Sequence, residues 1–133
     1  MIVVAVSGPS KSGKTTLVEA LIRELSSRGL RVLAVKHGRH FEFDVEGKDS
    51  WRMWNAGAET AMISDKFTAI MLRRELSLEK IGEFIKADVV IAEGFKNLNI
   101  RKIVIESKEK IDVSGEIIAV LSSRDVLSGN FDV

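Results

Sequence analysis

No cysteine occurs among the 133 residues, so disulfides and thiolate-bound metals are excluded and a reducing compartment is the natural setting. The single proline is Pro9, and there is no proline-rich tract, internal repeat or low-complexity segment. An excess of one charge is also missing. Twenty Lys and Arg face 19 Asp and Glu, and the net charge of +1 gives no global attraction to nucleic acid or to acidic membranes. The N-terminal apolar run is only about a strand long and has no basic region before it, so neither a signal peptide nor a membrane span is expected. What remains is ordinary globular material, 45% hydrophobic and 29% charged. It reads as one compact cytoplasmic domain over residues 1–133.

The chain is organised around its first seventeen residues. A β-branched run, Val3 to Val6, leads into Ser7-Gly8-Pro9-Ser10-Lys11-Ser12-Gly13-Lys14-Thr15-Thr16-Leu17. Gly8 to Thr15 fits G-x-x-x-x-G-K-[ST], the P-loop, and it stands in the context that motif needs, after a strand and before a helix. The spacing follows from the chemistry. Successive backbone N–H groups must turn inward around a phosphate, and Gly8 and Gly13 give the two ends the freedom to do so. The helix that starts near Lys14 aims its free amides and positive dipole end at the same phosphate. Lys14 is placed for the β- and γ-phosphates, and Thr15 for Mg²⁺. The residues expected to line the phosphates are Gly8, Pro9, Ser10, Lys11, Ser12, Gly13, Lys14, Thr15 and Thr16. A ligand-free glycine turn is the competing reading.

Strands and helices alternate behind this loop. Leu17, Leu21, Ile22 and Leu25 share one helical face, and Arg28-Gly29 ends that helix. Arg31 to Lys36 is a second strand, completing a βαβ unit. Residues 37–48 form a polar loop without periodicity, and a short helix follows from a cap at Asp49 or Ser50 to Gly57. Glu59 to Ser64 and Thr68 to Leu72 read as a hairpin or edge pair turning at Asp65-Lys66. Ser77 caps a helix with Leu78, Ile81 and Ile85 inward. Asp88 to Ala92 is a buried strand that ends in Glu93-Gly94-Phe95-Lys96. Arg101 to Glu106 and Glu116 to Leu121 are two more strands, and Ser122 to Val133 carries no convincing helix. The fold class is α/β of the P-loop NTPase kind, a mostly parallel central sheet with helices on both faces and a possible antiparallel edge hairpin.

A P-loop site needs a carboxylate near the metal, at the end of a neighbouring strand. Two acids flank the buried fifth strand. Ligands lie outside the carboxyl ends of parallel strands, so Glu93, which ends the strand, is chosen over Asp88, which begins it. Glu93 is expected at the Mg²⁺, directly or through water, with Gly94 letting the backbone pass the phosphates. A solvated loop carboxylate is the bland alternative. The loop after the second strand offers Lys36, His37, His40 and Asp44. Phosphate or partner contact ranks first for them, a solvated loop second and metal ligation third, because two histidines and one acid make an incomplete zinc set. Trp51 and Trp54 lie one turn apart, a pair more at home in a core or subunit interface than under a base.

Lys36-His37-Gly38-Arg39-His40, Asp44, Gly47-Lys48-Asp49-Ser50, Ala56-Gly57-Ala58 and Glu93-Gly94-Phe95-Lys96 follow the P-loop in order. This series resembles the molybdopterin-guanine dinucleotide biosynthesis protein B (MobB) family, from residue 1 to about residue 121. The resemblance implies a P-loop protein of the GTPase class that includes dethiobiotin synthetase-like and MinD-like proteins. It implies GTP and Mg²⁺ as ligands, slow hydrolysis, a homodimer, and assistance to a MobA-type molybdopterin guanylyltransferase. Gly8 to Thr16 would hold the phosphates, while Glu93 and the His37–Asp44 loop would face the Mg²⁺ or γ-phosphate. Two departures stand out. No N-K-x-D guanine motif is present, since Ser122-Ser123-Arg124-Asp125 follows the last strand. The family also continues with a further C-terminal segment beyond the point where this chain stops. The rival readings are a small-molecule kinase using ATP, whose lid arginines could only be Arg73, Arg74 or Arg101, and a non-hydrolysing regulatory module.

Overall fold

The structure is a computed structural model that describes residues 1–38 and 49–132. The described elements are β1 (Ile2–Ser7), α1 (Lys14–Ser27), β2 (Val32–Lys36), α2 (Asp49–Asn55), β3 (Thr60–Ile63), β4 (Thr68–Met71), α3 (Leu78–Ile85), β5 (Val89–Glu93), β6 (Arg101–Glu106), β7 (Ile117–Ser122) and α4 (Ser123–Ser128). They fall into two compact units, one made of Met1–Gly38 with Leu78–Val133 and one of Arg39–Ser77.

The first unit holds a five-stranded sheet in the order β2-β5-β1-β6-β7, and every neighbouring pair is parallel. The unbroken apolar run of β1 fits its central place, since both of its faces are covered. Side chains alternate across the pleat. Val6, Val89, Ile91 and Ile105 form one core with Leu17 and Val18 of α1 and Val126 of α4. Ala5, Val90 and Ala92 form the other, with Leu78 of α3 and the neighbouring Ala87. Helices therefore cover both faces, as the alternation of elements predicts. Each fully buried Val, Ile or Leu contributes about 1.5–3 kcal/mol to this packing.

Two expectations need correction in detail. The tail after Ser122 does contain a helix, α4, capped by the Ser122 hydroxyl accepting from the Asp125 N–H at 3.2 Å and ended by Gly129 in the left-handed region. Ile85 does not face inward; it ends α3 and is 40% exposed, and Gly82 makes the close approach to Val90 instead. Of the two alternatives for the antiparallel pair, the hairpin is the one present, as a two-stranded sheet of its own.

The second unit joins that hairpin to α2. Thr60 is buried, whereas Ala61, Ile63, Thr68 and Ile70, which share the opposite face by register, are all exposed. The guanidinium of Arg73 lies 3.9 Å from the ring centroid of Trp54 and donates to the Trp54 carbonyl. Arg74 pairs with Glu59 at 2.9 Å.

Candidate functional site

The loop between β1 and α1 is shaped by three different demands. Gly13 adopts φ +102°, and a Cβ there would stand 2.6 Å from Cγ1 of Val126, so both backbone and packing require glycine. Gly8 is required by packing alone, because its Cβ would meet the Ser12 hydroxyl at 2.7 Å and Ile105 at 3.1 Å. Lys14 folds back along the loop, donating to the Gly8 carbonyl at 2.8 Å and the Pro9 carbonyl at 3.4 Å. The Ser12 hydroxyl is buried with no hydrogen-bond partner among the described residues.

Helix α1 begins at this loop with Gly13 as its N-cap, with no side-chain cap and no acidic residue in its first turn. Helix N-termini normally recruit such groups to satisfy their free amides. Here the amide end is left open beside a lysine, which is the arrangement that holds an anion.

Of the two acids that flank β5, Glu93 lies at the loop and Asp88 at the opposite end. Register places Glu93 beside Val6 at the carboxyl end of β5. Both Glu93 carboxylate oxygens lie 3.2 Å from the Thr15 hydroxyl, which donates to them. Asp88 sits at the other end of the strand, where its carboxylate accepts from the Arg31 N–H at 2.7 Å. It is a fold residue, far from the phosphate loop.

The Glu93 turn is tied on both sides. Gly94 N–H donates to the Val6 carbonyl and the Ser7 hydroxyl to the Gly94 carbonyl, each at 3.1 Å. His37 N–H donates to the Glu93 carbonyl at 3.2 Å. Its ring packs against Phe95 with centroids 4.8 Å apart. Lys36 is level with Glu93 in the β2–β5 register. Lys36 and His37 thus come to the same end of the sheet as the loop. His40 and Asp44 lie outside the described residues. Among the described residues no group of three or more His, Asp or Glu could hold a metal.

Reading the sequence did not single out α4 or Lys102. The first packs Val126, fully buried, against Gly13. Its available signal was the S-x-x-D capping pattern of Ser122 and Asp125 with Gly129 behind it. Lys102 on β6 is fully buried, donates to the Leu98 carbonyl, and has its ammonium pushed below the ordinary lysine value by desolvation. No sequence signal marks it.

A parallel sheet whose central strand opens into this loop, with a carboxylate from the adjacent strand on the loop's threonine, is a P-loop NTPase fold. The family model for molybdopterin guanine dinucleotide synthesis protein B matches residues 3–123. The chain belongs to that family. It is 41% identical over 111 residues to a molybdopterin-guanine dinucleotide biosynthesis adapter protein of Haemophilus influenzae, covering 78% of this chain and 62% of the relative. A protein of the same name from Escherichia coli is 35% identical over 128 residues, covering 85% and 73%. The match thus spans less than two thirds of the Haemophilus protein. A crystal structure of molybdopterin-guanine biosynthesis protein B superposes with TM-score 0.64 at 27% identity, covering 97% of this chain and 94% of the other. A crystal structure of Bacillus subtilis MobB gives 0.70 at 26% identity, covering 96% and 93%.

Proposed function

We propose that this protein binds Mg²⁺-GTP, hydrolyses it slowly, and serves as a homodimeric accessory factor to a MobA-type guanylyltransferase in molybdopterin guanine dinucleotide biosynthesis. The observation that carries the nucleotide reading is the meeting of Thr15 and Glu93 beside an uncapped helix start. Family membership supports the pathway, the choice of guanine and the partner.

The residues present fit the ligands. A hydroxyl and a carboxylate within 3.2 Å of each other are hard oxygen donors of the kind Mg²⁺ takes. Thr15 and Glu93 are the residues that would hold the ion, the second directly or through water. When bound, it offsets charge on the phosphate oxygens. The amides of Gly13 to Thr16 bind the phosphates, and Lys14 exchanges its carbonyl partners for a phosphate oxygen. His37, held by its backbone bond to Glu93, and Lys36 stand at the edge of the site.

Slow turnover is supported by what three of the arginines do. Arg73 is occupied by Trp54 and Arg74 by Glu59, and the exposed Arg101 lies 3.8 Å from Glu116. Each is engaged locally, and a site with no committed arginine among the described residues supports slow phosphoryl transfer. The same engagement counts against a kinase lid. Exposed apolar residues of the hairpin, Ile63 at 82% and Phe67 at 64%, support the homodimer.

Calorimetric titration of the chain with GTP and with ATP, each with Mg²⁺, tests the reading. A strong preference for GTP, lost in Lys14→Ala with the fold intact, is expected. Unchanged binding by Lys14→Ala defeats the phosphate-loop assignment, and equal or tighter binding of ATP brings the kinase reading forward.

A further inference from the structure

The connection from β5 to β6 crosses β1 in residues 94–100, without a helix. Crossovers between parallel strands usually take about a dozen residues or more and a helix. With no helix to pair them, the carbonyls of this short one need partners from elsewhere. The Gly94 carbonyl accepts from the Ser7 hydroxyl, that of Phe95 from the Leu98 N–H, and that of Lys96 from the Ser114 N–H at 2.7 Å. Phe95 and Ile100 pack onto the apolar cluster of Ala5 and Ala92.

The Leu98 carbonyl is held twice, by the Ile100 N–H at 3.0 Å and by the ammonium of Lys102. Lys102 stands level with Ala5, at a shift in the β6–β7 register, the kind of irregularity that re-aims a side chain. It is fully buried. Among the described residues it has no ion pair, and its one hydrogen-bond partner is the Leu98 carbonyl. An uncompensated buried cation costs stability, and an apolar side chain of the same length would not. The Leu98 carbonyl does not need it, because the Ile100 N–H already serves it. Fold stability therefore gives no reason for a lysine here. What the lysine grips is the crossover that begins at Glu93.

Building on the nucleotide reading above, we infer that Lys102 is a positioning residue, which fixes the Glu93 carboxylate toward Mg²⁺ by clamping the crossover behind it. The crossover joins the two with little slack. The Gly94 N–H is fixed on the Val6 carbonyl, and Phe95 is held at φ 56°. A clamp at Leu98 keeps that turn from relaxing, so both Glu93 oxygens stay on the Thr15 hydroxyl. A metal ligand held in place before the ion arrives binds it more tightly, because less ordering is lost on binding.

The test titrates GTP, with and without Mg²⁺, into the full chain and into Lys102→Met, Lys102→Leu, Lys102→Arg, Glu93→Gln and the double variant of Lys102→Met with Glu93→Gln. Thermal unfolding is followed alongside. Met matches lysine in length, and Leu is carried so that the result does not hang on one apolar side chain. Both variants should melt no lower than wild type, yet their gain in GTP affinity from Mg²⁺ should be about tenfold smaller. GTP affinity without Mg²⁺ should stay at the wild-type value. Lys102→Arg keeps a cationic donor and should recover most of the gain. Because the lysine acts through Glu93, adding Lys102→Met to Glu93→Gln should reduce the gain no further. An Mg²⁺ gain unchanged in the folded apolar variants overturns the inference and leaves the nucleotide site standing. A loss undiminished in the Glu93→Gln background overturns it as well, because the lysine then acts elsewhere. So does a failure of both apolar variants to fold, or lower melting in both, since Lys102 would then serve the fold. A wild-type chain that binds no GTP, or gains nothing from Mg²⁺, overturns the reading of the site itself and this inference with it.

Discussion

The two carboxylates of β5 make a controlled experiment within one strand. Glu93 ends it at the Thr15 hydroxyl, and Asp88 precedes it at the Arg31 amide. Five residues of extended chain separate them by about 16 Å. Glu93→Gln keeps size and hydrogen bonding but removes the charge from a metal-facing position. Such losses weaken metal-dependent binding by about tenfold to a hundredfold, which is about 1.4–2.7 kcal/mol. For Asp88→Asn the same charge is removed about 16 Å away. Its interaction with a divalent ion is about 0.5 kcal/mol in water, and below about 0.1 kcal/mol after salt screening. What Asp88→Asn does weaken is the bond to Arg31, at about 1 kcal/mol of fold stability. Titrating nucleoside triphosphate with and without Mg²⁺, together with urea unfolding, separates the two effects. Glu93→Gln should lose Mg²⁺-dependent affinity and keep its stability, and Asp88→Asn the reverse. A larger loss of Mg²⁺ dependence in Asp88→Asn refutes the strand-end reasoning.

Two further perturbations probe the surroundings of the site. Gly13→Ala combines left-handed strain with a Cβ placed 2.6 Å from Val126. It should cost about 2–4 kcal/mol in urea unfolding, and an unchanged midpoint would show that α4 is not seated on the loop. Lys102 has a folded-state pKa lowered from 10.5 by desolvation. The unfolded chain therefore binds more protons between the folded value and 10.5, so native stability rises with pH across that window. Below the window the cost of burying the charge is present in full. Lys102→Met leaves the Leu98 carbonyl with its bond from the Ile100 N–H. The variant should be at least as stable as wild type at neutral pH, with the gap closing toward about pH 10; a gap independent of pH refutes this.

The parts of the molecule legible from sequence are those fixed by local pattern. The apolar runs of β1 and β5 place them in the sheet interior, and the G-x-x-x-x-G-K-T spacing places the phosphate loop. Strand polarity then selects Glu93, because in a parallel sheet the end of a strand is readable from chain direction alone. The parts not legible depend on contacts between distant residues. Helix α4 spans Ser123–Ser128, too short for a hydrophobic period to register, and its anchor is the distant Gly13. Ile85 fits the inward face by spacing, yet α3 lies against the sheet through Gly82 and ends before a further turn can bury it. Lys102 alternates correctly for a solvated position, and only the packing around β6 reveals that it is enclosed.

An amide cradle binds phosphate well only if its N–H groups already point inward, since a loop that must be ordered first loses that entropy from affinity. This loop is held from several directions at once. Gly94 bonds to Val6 and Ser7 to Gly94, which fixes the last turn of β1 against β5. Gly8 rests against Ile105 of β6, and Gly13 against Val126 of α4. Those contacts come from elements far apart in sequence, yet all lie at one end of the sheet. They hold Gly13 and Phe95 in left-handed conformations that an isolated loop would leave.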